Sequence, residues 1–214
     1  MINSNLFYSQ TFCNPIDIYI PEDIKVKCSK YAKKVVKTVD YRDSGQTDKG
    51  RIMYQHYIGK VGECAAYSAF KSIGLSPSFP DFCIHIGRKK NWDDIHCDID
   101  GVRKKVSVKT QTYENALEYN PSWTFQTNPK RRDPMLLGSG KGYIVSFVMY
   151  FQSMHICRVF PPVRASIVYG YLRAPKIRSL CGSKMVVYGT EIFKHTDFSA
   201  GLISVPKETL TSRF

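Results

Sequence analysis

The sequence predicts a mixed α/β (α+β) domain with helices early in the chain and a central mixed β-sheet assembled mostly from its second half. Three observations lead there. Apolar residues recur at helical spacing over 51–74, at Val61, Cys64, Ala65, Ala69 and Ile73. Short runs rich in Val, Ile, Tyr and Phe crowd the second half, bounded by Gly, Pro and polar residues. The length, 214 residues, suits a single domain with a substantial core. Within it, 1–50 reads as a helical and irregular arm, 51–195 as the core and 196–214 as a tail.

Taken in order, 1–22 is irregular apart from the apolar stretch IDIYI, which Pro21 ends. Residues 21–39 suit a helix, with a proline and two acids in its first turn, where the helix dipole favours them. A polar loop, 40–50, leads to the helix of 51–74, which Gly74 stops. Strands are expected at 81–87, 92–99, 102–112, 142–151, 155–163, 165–172 and 184–193, with one helical turn at YENALEY, 113–119. The most apolar run, YIVSFVMYF at 143–151, is too short to span a bilayer and reads as a buried strand. The first residues show no basic region followed by an apolar stretch, so no signal peptide is expected.

Lys and Arg number 31 against 18 acids, a net charge of +13. That excess is the footprint of a polyanionic partner, of which nucleic acid is the commonest. It gathers at 25–37, 87–90, 103–105 and 130–132. The seven cysteines stand singly with no close pair, which argues against a zinc site and for reduced thiols in an intracellular, cytoplasmic protein. There is no GxSxG, no P-loop and no HExxH; GSGKG at 138–142 lacks the Ser/Thr ending and precedes a strand.

Residues 93–112, DDIHCDIDGVRKKVSVKTQT, hold four aspartates around a DG pair, the strongest short hairpin signal. With Asp100 and Gly101 at the turn, facing residues sum to 201, so His96 faces Lys105 and Asp94 faces Ser107. Strand alternation sends Val106 and Val108 to the core side with Ile95, Cys97 and Ile99. It sends Ser107, Lys109 and Gln111 to the other side with Asp94. A carboxylate, a hydroxyl and an amine on one face could hold Mg²⁺ (or Mn²⁺) through oxygen and orient a water. The bland alternative is a surface hairpin whose aspartates balance the basic residues across the strands.

With its flanks, this segment resembles the PD-(D/E)XK nuclease superfamily, the restriction-endonuclease-like fold. The resemblance rests on Gly62-Glu63 in a first helix, Asp94 at a strand start, and Val106-Ser107-Val108-Lys109-Thr110, and extends in element order over 60–195. It implies that Asp94 and Glu63 hold the metal and that Lys109 positions the attacking water. The acid expected at 107 is a serine, an S-x-K form. Glu114 and Glu118, on the helix after the motif, are candidates to replace it. Asp81, in a literal Pro-Asp, and Asp98 are alternative metal ligands; Asp93 is expected to point away. Gln111 could hold a water or a phosphate.

The resemblance therefore implies a metal-dependent endonuclease acting on DNA, double-stranded, in a restriction-type or phage setting and as a possible homodimer. Phosphate contacts are expected from Lys130, Arg131 and Arg132 in the basic loop 120–142, and from Lys104 and Lys105. Trp92, Trp123 and Phe125 could stack on bases, although a tryptophan in a small core is the commoner reading. The rival reading is a non-catalytic nucleic-acid-binding protein on a degenerate nuclease fold, for which Ser107 is the best argument.

Overall fold

A computed structural model describes residues 14–38, 47–85, 94–127, 132–136, 142–173 and 184–193. The elements are β1 (Ile16–Tyr19), α1 (Glu22–Val35), α2 (Lys49–Ser72), β2 (Ile95–Ile99), β3 (Val102–Thr112), α3 (Tyr113–Tyr119) and β4 (Ser122–Gln126). Next come a 3₁₀ turn (Pro134–Leu136), β5 (Tyr143–Phe151), β6 (Ile156–Val159), β7 (Val163–Arg164), α4 (Ala165–Tyr171), β8 (Lys184–Tyr188) and α5 (Gly189–Ile192).

The fold is mixed α/β: a mixed sheet in the order β1-β6-β5-β3-β2, with β7 also on β5, flanked by helices. β3 and β5 run parallel, with Ser107 beside Val145 and Lys109 beside Phe147. Parallel neighbours need a crossover, and α3 and β4 lie in the chain between them. β4 pairs with β8 in a separate two-stranded ribbon.

β5 is buried on both sides and divides the interior. Its Ile144, Val148 and Tyr150 belong to one core with Cys28 of α1 and Val61, Cys64, Ala65 and Ala69 of α2. Its Val145, Phe147, Met149 and Phe151 belong to a second core with Trp123, Phe125, Met135 and Val168. A strand covered on both faces reads as a continuous apolar run, which is why 143–151 lacks alternation.

Local chemistry accounts for the helix ends. Asp48 caps α2, accepting from the Arg51 N–H at 3.1 Å. Thr112 caps α3, accepting from the Asn115 N–H at 3.4 Å. Glu22 and Asp23 open α1 and Lys33 and Lys34 close it, matching the helix dipole.

Two expectations need correction. Ala165–Tyr171, expected within a strand, form the helix α4: Ala165 and Val168 are buried against the second core, as is Leu172 just after the helix. Residues 81–85 carry no strand; the expected strand's last two residues lie outside the described ones. In the N-terminal stretch, β1 pairs with β6 from Ile16–Val159 to Tyr19–Ile156, and α1 packs on α2. Among the described residues no helix is long and apolar enough to cross a membrane.

Candidate functional site

The hairpin turns where the sequence places it. Asp100 and Gly101 have φ of 53° and 71°, the left-handed pair that a type I′ turn requires. The register runs Ile99–Val102 to Ile95–Val106, so facing residues do sum to 201. Asp94 lies just before β2, where the ladder ends, and its N–H donates to the Val106 carbonyl at 3.2 Å instead of continuing the register to Ser107. Its carboxylate Oδ2 accepts the Val108 N–H at 2.7 Å. Asp94 thus covers the edge of β3 where β2 stops.

On the α2 side the central group is Lys60, which no motif in the sequence singles out. It is 5 % exposed. Its Nζ donates to Glu63 Oε2 at 2.5 Å and to the Asp81 carbonyl at 2.8 Å. It also lies 4.7 Å from the centre of the Tyr31 ring. Burial pulls the Lys60 pKa down, but the Glu63 carboxylate, helped by Tyr31 and Asp94, more than offsets it, and the net shift is upward. Burial raises the Tyr31 phenol, with Lys60 opposing and Glu63, Asp81 and Asp94 adding to it. The Glu63 and Asp94 carboxylates therefore act on both the amine and the phenol, and that of Asp81 on the phenol. The signal in the sequence is a lysine between Ile58 and Val61 with a glutamate three positions on.

On the other side of β3, Lys109 sits 5.0 Å above the Phe125 ring and is paired with Asp133 Oδ2; the expected meeting of Asp94 and Lys109 on one face is thereby corrected, since Asp94 acts on Lys60 and Tyr31. Asp133 is 7 % exposed, and its Oδ1 accepts the Met135 N–H at 3.2 Å. Asp133 is the only acid between Glu118 and Glu191, and that isolation is the signal by which the sequence could have revealed it. Ser107, on the same side, is 6 % exposed. Replacing Lys109 with Met leaves the Asp133 carboxylate without its cation and is expected to cost about 2 kcal/mol. The figure is below that for a fully buried pair because the Lys109 side chain is 21 % exposed. Urea unfolding checks it, and Lys109→Met combined with Asp133→Leu should recover part of the loss.

Gln111 acts as a clamp. Its Oε1 accepts the Ser122 N–H at 2.8 Å and its Nε2 donates to the Asn120 carbonyl at 3.2 Å, fixing the turn from α3 into β4. Glu114 and Glu118 are exposed on α3; Glu118 lines a groove of about 730 Å³ with Arg51, Thr110, Gln111 and Lys184. Asp81 accepts from His85 Nε2 at 2.7 Å and from the Cys83 N–H at 2.8 Å. Burial works against its ionisation, yet those two bonds bring its pKa to about 2. Asp98 pairs with Arg103 at 3.3 Å on the exposed outer hairpin. Lys105 is exposed, with its Nζ 5.4 Å from the Tyr143 ring centre; Lys104 is half-buried and Arg132 exposed. Trp92, Asp93, Lys130 and Arg131 lie outside the described residues.

Of the two readings for Trp123, base stacking and core, the structure gives the core, and Phe125 joins it there. Trp123 is 2 % exposed, donates to the Val148 carbonyl at 3.2 Å and packs 4.6 Å from Phe147. Phe125 is fully buried. Neither offers a face to a base.

The residues do not fit a Mg²⁺ site as they stand. Among the described residues no three His, Cys, Asp or Glu side chains are grouped closely enough to hold a metal ion. Glu63 is committed to Lys60, Asp133 to Lys109, and one Asp94 oxygen to the β3 backbone. Comparison of the chain with protein-family models, with curated proteins and with solved structures found no significant match in any of the three.

Proposed function

We propose that this chain is a nucleic-acid-binding protein that works through its basic surface. The observation that carries this reading is the outer face of α1. Lys27, Lys30, Lys33 and Lys34 are all exposed. At 3.6 residues per turn they fall within an arc of about 120°. A stripe of ammonium groups along one helix, on a chain of net charge +13, suits a phosphate backbone. Asp23 of the first turn shares this face and offsets one of the four charges; other acids are engaged elsewhere, Glu22 with Lys25 at 2.6 Å, Glu63 and Asp133 in lysine pairs, and Asp17 with Arg158 at 2.8 Å.

A second reading is metal-dependent DNA cleavage. It is favoured by the gathering of Glu63, Asp81 and Asp94 about Tyr31, and by the parallel β3–β5 pair with α3 between them in the chain. Both agree with the nuclease resemblance. It requires Glu63 to exchange Lys60 for a cation.

One experiment separates the two. Plasmid and short duplexes are incubated with the protein in EDTA, Mg²⁺ or Mn²⁺ across a salt series. Binding without cutting in every metal is the expected result. Replacing Lys30, Lys33 and Lys34 with Gln should flatten the slope of log K against log salt by about 2–3. Metal-dependent nicking lost in Glu63→Gln would establish the second reading instead. Failure to bind any nucleic acid at low salt would overturn both.

A further inference from the structure

Beside the lysine stripe lies a group of aromatic rings gathered around the irregular segment after α2. Phe79 and Phe82 stack with centroids 6.0 Å apart and an interplanar angle of 27°. Tyr67 of α2 meets Phe79 edge-on at 5.1 Å, and Tyr31 of α1 meets Phe82 edge-on at 5.7 Å. The group is not sealed into the core: Phe79 is 46 % exposed, and Tyr67 and Phe82 are half-buried. Single exposed aromatics are ordinary, but a stacked pair with an open ring is a surface a protein usually covers or uses.

The rings are joined to the charge. Lys27, the first lysine of the stripe, holds its Nζ 4.5 Å from the Phe79 centroid and 4.6 Å from that of Phe82. The ammonium is thereby fixed where the basic track meets the ring pair. Lys60 touches the same group from beneath, 5.5 Å from the Phe82 centroid and 4.7 Å from that of Tyr31.

We infer that this surface binds single-stranded nucleic acid, with the backbone along the α1 lysines and a base stacked on Phe79. The inference rests on the nucleic-acid reading above and names its substrate class. A positive track supplies sequence-independent affinity, and an aromatic face beside it accepts any unpaired base. A duplex offers the same phosphates but keeps its bases stacked on one another, so it gains only the track. The stacking face that Trp123 does not offer is therefore provided elsewhere, by Phe79, which stands in an irregular stretch with no motif around it.

The test is fluorescence anisotropy with labelled fifteen-residue oligo-dT and oligo-U, an abasic strand of the same charge, and a duplex of the same length. Both base-bearing single strands are expected to bind more tightly than the abasic strand and the duplex. Phe79→Ala should weaken oligo-dT about 5- to 150-fold and abolish its advantage over the abasic strand. The salt slope should stay the same, because no cation is removed. Phe79→Tyr should restore binding. Because Phe79 is largely outside the core, the variant should melt with the wild type; a Phe79→Ala that unfolds would itself contradict the surface role. Equal affinity for duplex and single strand, or unchanged affinity in Phe79→Ala, overturns the inference and leaves duplex binding by the stripe intact. No binding to any of the four probes removes the underlying reading as well.

Discussion

Glu63→Gln is expected to destabilise the fold by about 3–5 kcal/mol at neutral pH and to reverse the pH dependence that Lys60 contributes. The wild-type Lys60 pKa is raised in the folded state. Its stabilising contribution is therefore complete below about 10.4, the unfolded value, and is lost only as pH climbs past that value toward the folded one. Without the Glu63 charge, burial becomes the governing influence and pushes Lys60 below its unfolded value, with Asp94 only partly resisting. Between the new folded value and about 10.4 the unfolded chain then binds more protons than the folded one, so stability rises with pH. The gap between variant and wild type should accordingly narrow from about pH 7 to about pH 9.5. Tyr31 does not confuse the comparison, since its pKa is raised and it stays neutral over that range. Urea unfolding at the two pH values reads the result; a gap that stays constant or widens would show that Glu63 does not govern Lys60. Lys60→Met with Glu63→Leu should cost less than Glu63→Gln alone, because no unpaired charge is left behind.

The parts of this fold that are legible in the sequence are those fixed by short-range chemistry. The DG turn sets the hairpin register from Ile99–Val102 to Ile95–Val106, but that register does not carry through Asp94, whose N–H bonds the Val106 carbonyl. The amphipathic spacing in 51–74 locates the helix α2 within two residues at each end. What is not legible depends on partners distant in the chain. Residues 165–172 are β-branched and aromatic, and so resemble a strand, but packing of Ala165 and Val168 against the second core makes Ala165–Tyr171 a helix. Strand alternation puts Lys109 on the side of Ser107, yet its carboxylate comes from Asp133, 24 positions on. No local pattern announces such a pairing. The same holds for Lys60, whose environment is assembled from α1, α2, the 79–85 segment and the end of the hairpin. An amphipathic-helix reading treats a lone lysine on the apolar side as a misfit rather than as the centre of a cluster.

Gly62→Ala is the second large effect, expected to be at least about 3 kcal/mol, above the usual overpacking range. A Cβ at position 62 would lie 1.8 Å from Thr110 Oγ1 and 2.9 Å from Thr110 Cβ and Cγ2. Rotating Thr110 can move the hydroxyl but not Cβ, and a β-branched side chain on a central strand has little freedom in χ1. The helix must therefore lift off the sheet, opening contacts along both. Alanine's better helix propensity returns only about 1 kcal/mol, so the clash decides the sign. Thr110→Ala should rescue part of the loss, since it removes two of the three clashing atoms. It should also be cheap by itself, because Thr110 Oγ1 is buried with no hydrogen-bond partner among the described residues. Thermal unfolding of the two single variants and the double variant checks this. Additive losses, with no recovery in the double variant, would mean that Gly62 is needed for backbone freedom and not for the closeness of α2 to β3. The same lift would carry Lys60 and Glu63 away from Asp94. Gly62→Ala should then also lower the Lys60 pKa relative to wild type, an effect that simple loss of packing elsewhere in α2 would not produce.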